Sequence, residues 1–270
     1  MPALGEPIAR GRTSELYAWG AGRVLKLFLA TYPRWWAEDE IRYQRAIAGL
    51  GLPTPTFYEE AEEEGRPGMV LERLAGRTLL ECGGRQPWRL GYVGRVLAEL
   101  QVKVHACQGP ALLKTQRAWV SPGIMERDLL PPDLKRRVLA TLAALPDGTC
   151  LCHGDLHPGN VMLTPRGPMI IDWMTASRGL PVGDIARSSV LLTAAQVPSG
   201  TPLPGLVDLL RQRMHRAYLQ RYQQLQRVDL AQWHAWRAIM AANYLDVSVE
   251  AEREGLLALV RHELAAAEVA

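Results

Sequence analysis

Residues 152–160 read Cys-His-Gly-Asp-Leu-His-Pro-Gly-Asn, and residues 171–173 read Ile-Asp-Trp. Together these two stretches supply a carboxylate at Asp155, a side-chain amide at Asn160 and a second carboxylate at Asp172. Carboxylate and amide oxygens are the ligands that a hard cation such as Mg²⁺ prefers. In phosphoryl transfer, one Asp orients and deprotonates the attacking hydroxyl, while an Asn and a second Asp hold the metal ions. A loop Asp with a capping Asn and an ordinary strand end is the alternative interpretation, and the complete set at this spacing favours the chemical one.

The residues between Asn160 and Asp172 predict a β-hairpin. Residues 161–163 and 169–171 are short apolar runs typical of strands, and residues 164–168 have the Pro and Gly content of a turn. We expect this hairpin to fold Asn160 and Asp172 back toward each other.

The complete motif, His-Gly-Asp-Leu-His-Pro-Gly-Asn with the later Ile-Asp-Trp, resembles the aminoglycoside phosphotransferase and choline kinase family, whose members are small-molecule kinases. The resemblance implies an α+β, protein-kinase-like bilobal fold. Its N-terminal lobe would be a small antiparallel sheet with one main helix, and its C-terminal lobe would be larger and helical. Gly76 marks the change from strands to helices. We therefore expect residues 1–75 to form a nucleotide-clamping lobe and residues 76–270 to carry the catalytic loop and the acceptor site.

The resemblance also implies roles for individual residues. Asp155 would be the catalytic residue, Asn160 and Asp172 would be the Mg²⁺ ligands, and ATP or GTP would be the co-substrate. Backbone groups near Glu72 and Leu74 would bind the edge of the nucleotide base.

Two further residues are assigned a structural role. In the family, an Asp followed by an aliphatic residue and Ala starts a helix, and the carboxylate of that Asp braces the backbone of the catalytic loop. Asp184 matches this pattern. Asp is also a good helix N-cap, so the local interpretation agrees. His153 would brace the same loop with its imidazole.

The N-terminal residues 8–28 predict a strand, a loop and two more strands. Gly11, Thr13 and Ser14 lie in the first loop, where small residues let backbone N–H groups approach phosphate oxygens. The loop has one Gly rather than the three of a Gly-x-Gly-x-x-Gly motif, so a plain hairpin explains it equally well.

Lys26 lies in the middle of a short apolar strand, where an unpaired ammonium group is costly to bury. We expect it to contact nucleotide phosphates and to pair with an acid on the helix predicted at residues 33–47. Glu40 shares a helix face with Trp36, Tyr43 and Ile47 and is the first choice. Glu38, about half a turn away, is the second.

Three more helices are predicted near residues 205–226, 230–246 and 249–267 from their apolar periodicity. The junction of the last two is acidic, and in the resembling enzymes this region borders the acceptor pocket. Asp246 and Glu250 are therefore candidates to pair with ammonium groups of an acceptor. The alternative is a solvated helix start, where acids favour the helix dipole.

Composition excludes several classes of protein. The chain has 270 residues and a net charge of +3, with 31 basic against 28 acidic side chains, so nucleic-acid binding is not expected. It has no apolar run of membrane-spanning length and no signal-peptide pattern. Its four cysteines form no Cys-x-x-Cys motif and have no zinc-like spacing, so we expect buried free thiols and a cytoplasmic location.

Three functions remain open. An ATP- or GTP-dependent O-phosphotransferase would act on a hydroxyl of a small molecule, with an aminoglycoside-like or amino-alcohol acceptor favoured. A protein kinase is disfavoured because the eleven residues 173–183 leave no room for an activation segment. A nucleotide-binding pseudokinase scaffold is disfavoured because every expected catalytic residue type is present.

Overall fold

The computed structural model describes residues 4–126, 128–194 and 204–270. Contacts within the chain define two compact units. The first unit comprises the residues up to Thr78 together with Val161–Met174, and the second comprises Leu79–Asn160 with the residues from Thr175 onward. Residues 161–174 are thus grouped with the N-terminal strands, although the sequence analysis assigned them to the helical lobe. The expected division of function after residue 75 stays a prediction.

Helices and strands follow one another along all the described segments. In chain order they are β1 (Ala9–Arg10), β2 (Ser14–Ala18), β3 (Arg23–Phe28), α1 (Arg34–Ala48), β4 (Phe57–Glu63), β5 (Arg66–Glu72), β6 (Arg77–Thr78), α2 (Leu79–Arg85), α3 (Leu90–His105), α4 (Gln116–Met125), α5 (Pro132–Ala144), β7 (Cys150–Cys152), β8 (Val161–Thr164), β9 (Gly167–Ile170), β10 (Ser177–Gly179), α6 (Pro181–Ala194), α7 (Pro204–Leu225), α8 (Leu230–Tyr244) and α9 (Glu250–Val269).

The first unit is built on a five-stranded antiparallel sheet in the order β1-β2-β3-β5-β4. Side chains alternate between the two faces of a strand, so Val24, Lys26 and Phe28 of β3 lie on one face. Val24 and Phe28 pack there against Ala37 and Ile41 of α1. The strand pattern therefore turns Lys26 toward the helix that was expected to supply its partner.

Helix α1 forms where the sequence predicted it, directly after Pro33. Glu40, Tyr43 and Ile47 are buried as expected, whereas Trp36 is 43% exposed. Trp36 is the first of the four apolar-face positions, in the opening turn of the helix, and it stacks edge-on against Tyr32 rather than entering the core.

The predicted hairpin is present as β8 and β9, which pair in register from Val161↔Ile170 to Thr164↔Gly167. It joins β6 in a three-stranded sheet of the first unit. Two long-range hydrogen bonds hold its outgoing end. The Ile170 N–H donates to the Pro53 carbonyl at 2.7 Å, and the Trp173 indole Nε1 donates to Thr54 Oγ1 at 3.0 Å.

The second unit contains helices α2 to α9 and the two-stranded ribbon of β7 and β10. The three helices predicted near the C-terminus are confirmed as α7, α8 and α9. Trp236, Ile239 and Met240 of α8 are buried, as are Leu256 and Val260 of α9.

The structure bears on two expectations drawn from the composition. No helix in the described segments combines the length and the apolar character needed to cross a bilayer. The structure confirms that all four cysteines are free, but the expected burial is confirmed for Cys152 and wrong for Cys82, Cys107 and Cys150, which are half-buried.

Candidate active site

Lys26 is the centre of a charged cluster in the first unit. Its ammonium group pairs with Glu40 of α1 and lies 3.5 Å from Oδ1 of Asp172, just after β9. Burial alone lowers the pKa of Lys26, but the charges of Glu40 and Asp172 outweigh it and raise that pKa above its ordinary value. The ammonium is therefore charged at neutral pH. The alternative acid, Glu38, instead pairs with Arg34 on the exposed side of the helix.

The cluster holds one ammonium and two carboxyl groups, and burial raises the pKa of Glu40 although the charge of Lys26 opposes this. Glu40 is nearly fully buried, and its Oε2 has no hydrogen-bond partner among the described residues. Asp172 is 40% exposed and has a φ of 66°, an uncommon backbone conformation outside glycine. The accessible carboxylate of Asp172 is a suitable ligand for a divalent cation.

Asp155 lies in the second unit on the loop after β7. The Asn160 Nδ2 donates to Oδ2 of Asp155 and to its backbone carbonyl, both at 2.9 Å. His157 Nε2 lies 3.6 Å from the same carboxylate. Burial raises the pKa of Asp155, but the hydrogen bond and charge of His157, with Arg187 and His153, hold it below its ordinary value. Asp155 is therefore ionised at neutral pH and can accept a proton from a hydroxyl.

The backbone before Asp155 is held by Asp184. Oδ1 of Asp184 accepts from the Gly154 N–H at 2.7 Å, and Oδ2 accepts from the His153 N–H at 3.1 Å. Oδ2 is also 2.9 Å from His105 Nε2 and from Gln101 Nε2. Burial raises the pKa of this carboxyl, but these donors outweigh it and lower that pKa to about 2.

One detail of the sequence-based expectation for Asp184 is wrong. Helix α6 begins at Pro181, so Asp184 lies in its first turn rather than at the N-cap. The carboxylate therefore points at the loop instead of capping its own helix. The His153 imidazole also contacts the loop, because its Nδ1 accepts from the Asp155 N–H at 3.2 Å.

Gly154 has a conformation that the loop requires. Its φ is 77°, in the left-handed region that favours glycine, and a Cβ atom there would collide with the Thr175 carbonyl oxygen. Thr175 Oγ1 in turn donates to the His153 carbonyl at 2.9 Å. Only glycine fits at this position without displacing the loop.

The contacts described for the predicted phosphate loop and hinge are ordinary backbone hydrogen bonds and one ion pair. The Gly11 N–H donates to the Ser14 carbonyl at 2.8 Å, and the Thr13 carbonyl accepts from the Leu29 N–H, so the loop closes as a hairpin. The Glu72 carboxylate pairs with Arg166, and Leu74 follows β5 in a half-buried position. Nucleotide binding by Gly11, Thr13, Ser14, Glu72 and Leu74 stays a prediction.

The two residues proposed to bind the acceptor lie near the start of α9. Asp246 is exposed after the end of α8, and Glu250 is the first residue of α9, with Glu252 in the same turn. Acids at a helix start interact favourably with the helix dipole, so this placement is also explained without an acceptor. Their role stays a prediction.

Sequence reasoning missed two buried polar residues beside the loop. Gln101 contacts Asp184 and Ser188 at the base of the loop. Arg187 of α6 is 6% exposed, and its Nε donates to the Gly154 carbonyl at 3.3 Å. The signal that identified Lys26 also applies here, because each is a polar residue within an apolar segment.

Comparison with known proteins places this geometry in context. Residues 5–229 match the family model described as the phosphotransferase enzyme family. No match was found among curated proteins.

Solved structures resemble the chain over nearly its whole length. A thermostable mutant of aminoglycoside phosphotransferase APH(4)-Ia, in a ternary complex with AMP-PNP and hygromycin B, is 15% identical, with a TM-score of 0.62 and coverage of 99% of this chain and 92% of that one. A choline/ethanolamine kinase family protein from Mesorhizobium loti is 19% identical, with a TM-score of 0.60 and coverage of 98% and 92%. An amicoumacin kinase in complex with AMP-PNP, Ca²⁺ and Ami is 16% identical, with a TM-score of 0.63 and coverage of 98% and 88%. The α+β, protein-kinase-like fold expected from the sequence is confirmed.

Proposed function

Because the chain belongs to the phosphotransferase enzyme family, we propose that it transfers the γ-phosphate of ATP or GTP to a hydroxyl of a small molecule, with an aminoglycoside-like or amino-alcohol acceptor favoured. The observation that carries this proposal is the cluster of Lys26, Glu40 and Asp172. A buried ammonium paired with a helix Glu, beside an accessible Asp, is the arrangement that kinases use for nucleotide phosphates.

Each residue of the first unit has a distinct task in this proposal. Lys26 provides a fixed positive charge for phosphate oxygens, and Glu40 orients it. Asp172 and Asn160 would hold Mg²⁺ through their side-chain oxygens, as the family resemblance implies. When bound, Mg²⁺ neutralises negative charge on the phosphates.

Asp155 acts on the acceptor. Its carboxylate is ionised at neutral pH, so it can orient the attacking hydroxyl and take its proton. Asn160 holds that carboxylate through its Nδ2, and the contacts from Asp184 and His153 restrict the backbone around it. This preorganisation supports a catalytic role rather than a binding role for the loop.

The same contacts weigh against the two alternatives. The segment between Asp172 and Asp184 contains β10, which pairs with β7, and so has little room for an activation segment. The pseudokinase alternative predicts the loss of one or more charged residues, whereas Lys26 is present and paired with Glu40, and Asp155 is present and held by Asn160.

The acceptor class is argued from the relatives and from charge. One similar structure holds hygromycin B with AMP-PNP, and another belongs to the choline/ethanolamine kinase family. The exposed acids Asp246 and Glu250 would steer a cationic acceptor. Screening by salt should then raise the acceptor KM, and Asp246→Asn should raise it selectively.

The test is ADP release from Mg·ATP and from Mg·GTP across a panel of aminoglycosides, amino alcohols and neutral sugars. We expect turnover with an amine-bearing acceptor, and a kcat about 10²- to 10⁴-fold lower in Asp155→Asn with nucleotide affinity retained. Near wild-type kcat in Asp155→Asn would refute the catalytic assignment. Turnover with neutral acceptors alone, with a salt-independent KM, would remove the cationic acceptor and leave the small-molecule kinase.

A further inference from the structure

Arg187 is a buried charge that the proposed function leaves without a task. It lies on α6 one turn after Asp184. Apart from these two charged residues, the helix from Val182 to Val190 is apolar, small or hydroxylated. Burying a charge is unfavourable even where carboxylates such as Asp155 and Asp184 act on it, and apolar residues of similar size are often tolerated or preferred in such places. The presence of a guanidinium here needs a reason beyond packing.

The guanidinium is held in a fixed orientation. Its Cζ atom lies 5.3 Å from the centroid of the Trp119 ring on α4 and 5.2 Å from that of the Tyr244 ring on α8. Its Nε donates to the Gly154 carbonyl, and its buried Nη1 has no hydrogen-bond partner among the described residues. Two aromatic rings thus fix a planar group whose one hydrogen bond in the described structure goes to the loop.

Gly154 is consequently held at both ends of its backbone unit by one helix. Asp184 accepts from its N–H, and Arg187 donates to its carbonyl. The two side chains are three positions apart and therefore share a face of α6. The Gly154 carbonyl belongs to the peptide group whose N–H is that of Asp155, so any rotation of this peptide moves the residue that carries the proposed base.

We propose that Arg187 is a positioning residue for phosphoryl transfer, which fixes the Gly154–Asp155 peptide and thereby the direction of the Asp155 carboxylate. The proposal rests on the proposed function, because it assigns Asp155 to the acceptor hydroxyl. The positive charge of Arg187 also acts on Asp155 electrostatically. Its described contacts are with the catalytic loop and two aromatic rings, so its loss should affect turnover rather than nucleotide affinity.

The test compares Arg187→Met with wild type. Met fills the space between the rings with a flexible apolar chain but leaves the Gly154 carbonyl without its donor, so thermal stability should fall modestly. The kcat for the best acceptor of the panel should fall about 10- to 100-fold, because small misplacements of a reacting group cost this much, while the nucleotide KM changes less than about twofold. A purely structural role predicts a loss of stability with an unchanged kcat.

Arg117→Met is the matched control. Arg117 on α4 also donates to backbone carbonyls, including that of Leu145 at 2.7 Å, but these lie away from the catalytic loop. It should lose stability and retain kcat. If Arg187→Met does not fold, Arg187→Lys replaces it, since Lys keeps the charge but lacks the planar group that stacks between the rings. Wild-type kcat in whichever Arg187 variant folds would overturn the proposal.

A second measurement separates this proposal from the proposed function. Hydrogen exchange of the peptide covering residues 153–157 should be faster in the Arg187 variant than in wild type or in Arg117→Met. If the wild-type protein shows no ADP release with any acceptor, the kinase proposal fails and the exchange data still decide whether Arg187 fixes the loop. Unchanged exchange in that peptide would overturn the positioning role.

Discussion

Asp184→Asn removes a buried negative charge that accepts four hydrogen bonds, two of them from the backbone just before Asp155. The replacement amide can accept at one position only. Its NH₂ group would face either the Gly154 N–H or the donors around Oδ2. A buried donor left without an acceptor costs about 1–3 kcal/mol, independently of pH.

The lost charge adds a contribution that depends on pH. The pKa of Asp184 is about 2 in the folded protein, against 3.8 ordinarily. A carboxyl whose pKa is lowered by folding stabilises the folded state at pH values above its ordinary pKa. This stabilisation is lost as the pH falls from about 4 to about 2. This shift corresponds to about 2 kcal/mol at pH 7 and to about half of that at pH 3.

Denaturant unfolding of wild type and Asp184→Asn at pH 7 and at pH 3 measures both contributions. We expect the variant to be less stable by about 3–5 kcal/mol at pH 7, and the difference to shrink by about 1 kcal/mol at pH 3. Asp147→Asn, at an exposed carboxylate paired with Arg117, should differ little from wild type at either pH. An Asp184→Asn difference that is equal at the two pH values would refute the buried-charge argument.

Two further predictions concern the charge cluster of the first unit. Lys26→Ala should raise the nucleotide KM and lower kcat together, because phosphate positioning is lost, whereas Glu38→Ala should change neither by more than about twofold in the same steady-state assay. An equal loss in both variants would mean that the functional acid is Glu38. Asp172→Ala should weaken Mg²⁺-dependent nucleotide binding more than Asn160→Ala, since it removes a charge as well as an oxygen ligand. Calorimetric titrations at several Mg²⁺ concentrations measure this, and an unchanged dependence in Asp172→Ala would place the metal elsewhere.

Local periodicity was enough to predict much of the fold. Lys26 was identified as a charge within an apolar strand, and the kinase arrangement suggested an acid on the next helix as its partner. The helical phase of α1 then selected Glu40 over Glu38, and the structure contains that ion pair. The hairpin of β8 and β9 and helices α7 to α9 were predictable for the same reason, because each is a regular element with its own turn or apolar stripe.

Features that depend on distant parts of the chain were not predictable. The guanidinium of Arg187 is held between the rings of Trp119 and Tyr244. These two residues come from two other helices, and no sequence pattern predicts the contact. The place of Asp184 in its helix depended on where α6 begins, and helix boundaries are weakly encoded. The pairing of β6 with β8 involves a two-residue strand, which is too short to show a pattern.

The hairpin of the first unit has a consequence for the order in which the protein is made. The N-terminal strands end at Thr78, but the segment that completes their unit, with Trp173 bonded to Thr54, is reached only after the 82 residues of Leu79–Asn160. At about 5–20 residues per second, a ribosome takes about 4–16 s to synthesise that insertion. During this interval β6 lacks its partner strand β8, and Pro53 and Thr54 lack their hydrogen bonds to Ile170 and Trp173. Chaperone dependence and sensitivity to translation rate are therefore expected to be greatest while residues 79–174 emerge.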